Sequence, residues 1–145
     1  MLITIRKSVK KDLSEKIPTI AVIAEEWMRS RYPDVNFGRV EYIFSSSYNR
    51  SRYFRNENNP SYYCPMVCIS TRAILALYNK KSLGIKNTTI YVGSEVQMMC
   101  ALIHELTHHV QYERKERIGN ELDTTANELA YLRERYSEYY EEIVS

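Results

Sequence analysis

Ser94-Glu95-Val96-Gln97-Met98-Met99-Cys100-Ala101-Leu102-Ile103-His104-Glu105-Leu106-Thr107-His108-His109-Val110-Gln111-Tyr112-Glu113-Arg114 is the stretch on which the reading of this chain turns. Ser94 with Gln97 three residues later has the form of a capping box, so a helix is expected from about residue 95. Met98, Ala101, Leu102 and Leu106 recur at helical spacing as its apolar face, and the pattern runs to about Arg114. Deep inside it lies His104-Glu105-Leu106-Thr107-His108, an H-E-x-x-H pattern. Residues four apart on a helix project from one face, so these two imidazoles can grip one zinc ion. Glu105 is then the expected general base, taking a proton from zinc-bound water and passing it to the leaving amine. The chain has three histidines, and two of them build this pattern.

A catalytic zinc takes three protein ligands and keeps one position for water. His109 adjoins His108 but points about 100° away around the helix, and it reads as a surface residue. Cys100 shares the ligand face one turn before His104 and reads first as a small buried apolar residue. A carboxylate on the next helix is the better third ligand. Gly119-Asn120 marks a turn, and a last helix is expected over residues 124–143, with Ala126, Leu129, Ala130, Leu132 and Tyr136 inward. If that helix returns antiparallel beside the first, it brings Glu128 to the histidines. Glu121, just past the turn, is the alternative metal ligand, and the two glutamates share a face if both are helical.

Upstream, residues 14–31 carry Ile17, Ile20, Ala21, Ile23, Ala24, Trp27 and Met28 on one helical face, with Pro18 in the first turn and Tyr32-Pro33-Asp34 as the stop. Residues 2–9 read as a short strand before it. Residues 39–45, 62–69 and 88–92 are strand candidates, and 48–61 reads as a polar loop. Residues 71–81 are ambiguous, with Ser70 and Gly84 able to bound a helix there. The expectation is an α+β fold: an N-terminal helix, a small, mostly antiparallel sheet, the motif helix and a C-terminal helix, as one domain over residues 1–145.

Composition narrows the function classes. The formal charge of +2 over 145 residues is too mild for a general nucleic-acid or membrane binder. The longest apolar run, residues 98–103, is too short to span a bilayer. The N-terminal residues lack the apolar core of a secretory signal. Three cysteines do not make a complete disulfide framework, which points to a reducing, cytoplasmic location. Cys64 and Cys68 are too far apart to bridge along a strand, although one of them could reach Cys100. Residues 48–55, Tyr-Asn-Arg-Ser-Arg-Tyr-Phe-Arg, interleave arginines with aromatics, which can serve single-stranded nucleic acid but reads more simply as a polar loop.

Taken together, His104, Glu105, His108 and Glu128 in Asn127-Glu128-Leu129-Ala130 resemble the gluzincin metallopeptidases, over roughly residues 94–135. In size the chain is similar to the minigluzincins, or to a SprT-like domain without its zinc ribbon. The resemblance implies a zincin-like core, a Zn2+ cofactor, hydrolysis of a protein or peptide substrate, and an edge strand lining the cleft, for which residues 88–92 are the candidate. Through the SprT-like proteins it also implies substrates attached to DNA. The chain departs from the thermolysin pattern at Leu132, where an aspartate would orient the first histidine. Asp123 or Asn127 are the substitutes to consider, and Tyr131 and Tyr136 the tyrosines nearest in sequence for the oxyanion. The alternative is a zinc-binding regulatory module, latent or without proteolytic activity, with residues 136–145 as a tail that could block the cleft.

Overall fold

The alternating residues at the N-terminus form β1 (Leu2–Ile5), and the apolar stripe after them forms α1 (Lys11–Arg31), which leads to β2 (Glu41–Ser45). This is a computed structural model, and it describes residues 1–55, 64–72, 74, 77–79 and 89–145. β1 and β2 pair in parallel, with Ile3 opposite Tyr42 and Ile5 opposite Phe44. Parallel neighbours need a long crossover, and α1 provides it. β3 (Arg52–Phe54) and β4 (Met66–Ser70) complete a four-stranded sheet of order β1-β2-β4-β3. β4 runs parallel to β2, and β3 antiparallel to β4. β5 (Leu77–Asn79) and β6 (Thr89–Tyr91) form a separate antiparallel pair. α2 (Ser94–Arg114), α3 (Glu121–Arg135) and α4 (Ser137–Val144) follow.

The α+β layout is as expected, but the four-stranded sheet is not mostly antiparallel: two of its three pairings are parallel, the first because α1 crosses over between β1 and β2, and only β3 runs against its neighbour. A strand, β3, lies inside the segment expected to be loop; its partner β4 supplies the ladder that a polar sequence alone does not advertise. The strand candidate at 62–69 is realised as Met66–Ser70, with residues 62 and 63 outside the described residues. β5 occupies part of the ambiguous 71–81 stretch, and Gly84 lies outside the described residues.

The helices pack on the sheet through a shared apolar cluster. Ile17, Ala21, Ala24 and Met28 of α1 meet Tyr42, Phe44, Val67 and Ile69 of the sheet and Met98, Leu102, Ile103 and Leu106 of α2. α1 begins at Lys11, one turn earlier than its apolar stripe suggests, so Pro18 lies inside the helix, where it has no N–H for the Ser14 carbonyl. Ile23 is exposed, and Glu25 takes a buried place instead, accepting from the Tyr42 hydroxyl at 2.7 Å and from Arg29 Nε at 3.0 Å. A carboxylate held by two donors is tolerated in a core where a lone one is not.

Two helix ends depart from expectation. The residue before α2 is Gly93, whose φ of 76° turns the chain from β6 into the helix, and no capping box forms at Ser94. A side chain at Gly93 would strain that turn. The last helix starts at Glu121, with the Asn120 side chain accepting from the Leu122 amide. It breaks at Tyr136, where ψ of 61° ends α3, and α4 then packs Ile143 with Leu132, Val96 and Cys100 in a second apolar cluster. None of the described helices is long and apolar enough to cross a membrane.

Candidate metal centre

The centre is assembled by α2 and the first two turns of α3. α2 places His104 and His108 on one face, with ring centroids 5.2 Å apart. The turn between the helices brings Glu121, the first residue of α3, across from them. His104 Nε2 lies 3.0 Å from Glu121 Oε2, and His108 Nε2 lies 3.2 Å from Glu121 Oε1. One donor atom from each residue falls within 4.8 Å of the others. Ligands about 2.0–2.1 Å from a tetrahedral zinc stand roughly 3.3 Å apart, so these spacings suit such an ion.

The other nitrogen of each ring is held from behind. His108 Nδ1 lies 2.9 Å from Gln111 Oε1. The Gln111 amide NH2 is committed, donating to the Asn120 carbonyl at 2.8 Å and to Asp123 Oδ2 at 3.0 Å. Its oxygen therefore faces His108, and Nδ1 carries the proton, which leaves the Nε2 lone pair toward Glu121. The same Gln111 oxygen accepts from the Gly119 amide at 3.0 Å, so one buried side chain fixes both the ring and the turn. His104 Nδ1 lies 3.5 Å from Glu128 Oε2. Glu128 is buried and approaches His104 on the side away from Glu121, outside the three-residue group. Both carboxylates lie on α3, as their spacing of seven allows, but in different places: Glu121 with the two Nε2 atoms and Glu128 behind one ring.

The acid-base character of the centre follows from crowding. Burial opposes a charge on His104, but the hydrogen bond and charge of Glu128, with Glu105 and Glu121, outweigh it and raise the pKa to about 9. Burial pushes Glu105 up to about 7, against the lowering effect of His104. Glu105 Oε1 is 3.9 Å from His104 Nε2, and its Oε2 is buried with no hydrogen-bond partner among the described residues. Among these crowded carboxylates, His104 and Glu105 each bind a proton more tightly than the free group does, which a divalent cation at the centre would oppose. The orphaned Glu105 oxygen fits the same reading, since it needs a polar group that the described residues do not supply.

The centre opens into a cleft of about 420 Å³, whose wall includes Arg50, Ser51, Arg52, Tyr53 and Tyr112. The strand that lines the cleft beside the motif is therefore β3; of the expected edge strand at 88–92, Thr89–Tyr91 pair with β5 instead, and residue 88 lies outside the described residues. β3 has this position because it closes one end of the four-stranded sheet next to α2. A larger groove of about 670 Å³ runs past Ser8, Lys16 and Arg72, but Lys16 is paired with Glu95 at 2.7 Å and Arg72 is bonded to the Ser46 carbonyl and Asn49.

Several expected roles fall elsewhere. His109 is not at the surface; it is fully buried, because the face of α2 one step round from the motif packs against β3 and the segment before β2. Its Nε2 donates to the Asn36 carbonyl at 2.7 Å, so its Nδ1 accepts from the Tyr53 hydroxyl at 2.7 Å. Burial holds its pKa below the ordinary value. Tyr131 packs edge-on against Trp27 and Tyr136 stacks on Tyr139; neither lines the cleft, where Tyr53 and Tyr112 stand. Asp123 acts on His108 only through Gln111, and Asn127 bonds Thr107, Tyr32 and Arg31 and neither histidine. Cys64, Cys68 and Cys100 are free thiols, and Cys100 lies in the second apolar cluster. Residues 136–145, expected as a tail that could block the cleft, contribute nothing to its described wall; their helix α4 packs on α3. Within 48–55, Tyr53 and Arg55 have internal partners, Arg55 donating to the Tyr53 hydroxyl at 3.2 Å. Gln111 and Tyr53 carry no spacing signal of their own in the sequence; only the tertiary packing gives them these roles.

Compared with known proteins, the chain matches no family model, no curated protein and no solved structure.

Proposed function

We propose that this protein is a zinc-dependent peptide hydrolase in which His104, His108 and Glu121 hold the metal, Glu128 and Gln111 orient the two imidazoles, and Glu105 moves the proton. One observation carries the reading: two Nε2 atoms and a carboxylate converge beside a buried glutamate oxygen with no hydrogen-bond partner among the described residues. A zinc ion bound there would supply Lewis acidity toward water and toward a peptide carbonyl. Glu105, with a pKa near neutrality, can accept a proton at Oε2 and return it to a departing amine. Glu128 accepts from His104 Nδ1–H and so keeps Nε2 free, the carboxylate–histidine arrangement common behind zinc ligands. This exchanges the ranking of the two glutamates that the gluzincin resemblance implied, and it supplies the orientation of His104 that Leu132 cannot. The three free thiols support an intracellular site of action.

The test is Glu105→Gln beside wild type, with zinc content and cleavage of an unfolded protein measured on the same samples. The reading expects zinc retained and cleavage reduced by roughly 10²–10⁴-fold. Full cleavage by the variant with zinc bound overturns the role of Glu105. Zinc bound by wild type with no turnover on any unfolded protein favours the alternative, a zinc-binding regulatory module.

A further inference from the structure

Two arginines among the described residues of the cleft wall, Arg50 and Arg52, take no part in moving the proton or holding the metal. Arg50 and Ser51 lead into the edge strand β3 and line the cleft with His104, Glu105 and Glu121. Arg50 is exposed, and its charge reaches Glu105. It has no hydrogen bond or ion pair among the described residues. Its neighbours are engaged: the Arg52 guanidinium lies 5.6 Å over the Phe54 ring, and Arg55 is 3.6 Å from Glu113 and 5.2 Å over Tyr112.

Charge balance gives this arginine a task. Glu105, Glu121 and Glu128 bring three negative charges when ionised, and a divalent ion offsets two of them. The loaded centre would therefore repel an anionic peptide unless a cation stood at the cleft wall. A guanidinium is planar and always charged, and it pairs with a carboxylate through two parallel hydrogen bonds. We infer that Arg50 is the carboxylate-recognising residue of the cleft, so that the favoured substrates are peptides with a carboxylate close to the bond that is cut, from an aspartate or glutamate side chain or from the chain's own C-terminus. The inference rests on the peptide-hydrolase reading above and adds the substrate class to it.

The test is calorimetric titration of zinc-loaded Glu105→Gln protein with blocked hexapeptides. One carries a single aspartate, its twin carries asparagine, and a third keeps neutral side chains but ends in a free carboxylate. The aspartate peptide or the free acid is expected to bind about tenfold more tightly than the neutral twin, and which of the two does so identifies the source of the carboxylate. The preference should vanish when Arg50→Ala is added, persist in part with Arg50→Lys, and turn toward lysine-bearing peptides with Arg50→Glu. Equal affinities, no binding of any peptide, or a preference that survives Arg50→Ala because the metal itself takes the carboxylate would each overturn the assignment. Arg50 is exposed, so these variants keep the fold. Wild-type cleavage without charge preference would sink this inference and leave the hydrolase reading standing.

Discussion

On the cleft side of α2, His108 gives Nδ1 to Gln111 and turns Nε2 toward Glu121; one residue on, His109 commits both ring nitrogens, to the Tyr53 hydroxyl and the Asn36 carbonyl. The two side chains are identical and adjacent, and the helix separates them by about 100°. One face meets carboxylates and an open cleft, where an imidazole with a spare lone pair is useful. The other meets the sheet, where a histidine is tolerated only with both nitrogens bonded. A ligand histidine is thus defined by what its second nitrogen is left to do.

Substitutions along this helix are the sharpest way to break that contrast. His108→Ala is expected to abolish stoichiometric zinc binding, whereas His109→Ala should keep one zinc per chain and lose stability. The loss should be about 2–4 kcal/mol in denaturant unfolding, because the Asn36 carbonyl and Tyr53 hydroxyl lose a buried partner. Zinc lost from the His109 variant while it remains folded would place that ring in the centre after all. Smaller effects belong to the groups behind the rings. Glu128→Gln and Gln111→Ala should each weaken zinc affinity by roughly 10–100-fold in competition with a chelator, without removing it.

The smallest effect is a pH dependence confined to metal-free protein. His104 has its pKa raised to about 9 from 6.5, so the stability it contributes is present below 6.5 and lost as pH rises through 9. Glu105 is raised to about 7 from 4.5, so the folded state again holds the extra proton, and its contribution is lost between those values. Both act in the same direction: thermal stability without metal should fall from about pH 4.5 to 9, and zinc should suppress the decline above neutral pH. A metal-free protein that gained stability over that window would contradict the crowded-carboxylate picture.

Much of this was legible in the sequence, for identifiable reasons. The motif helix, its inward Met98, Leu102 and Leu106, and most of α1 follow from periodicity that burial enforces. The inward face of α3 is only partly apolar: Leu132 is buried and Leu129 and Ala130 pack on the core as expected, but Ala126 and Tyr136 are exposed, and the polar Thr124, Asn127 and Glu128 take buried places that periodicity does not mark. β3 was hidden because three residues with a polar flank acquire strand geometry only from β4. The place of Glu121 depended on where α3 starts, and Asn120 caps it one turn earlier than the apolar pattern indicates. Glu128 lies close to His104 as expected, but on its other nitrogen, a distinction that no spacing rule contains.

The most direct measurement is zinc per chain, by elemental analysis, in Glu121→Ala and Glu128→Ala beside wild type. The account predicts one zinc in wild type, little or none in Glu121→Ala, and one, more weakly held, in Glu128→Ala. Zinc retained at full affinity without Glu121 and lost without Glu128, or no zinc in wild type after loading, would contradict it.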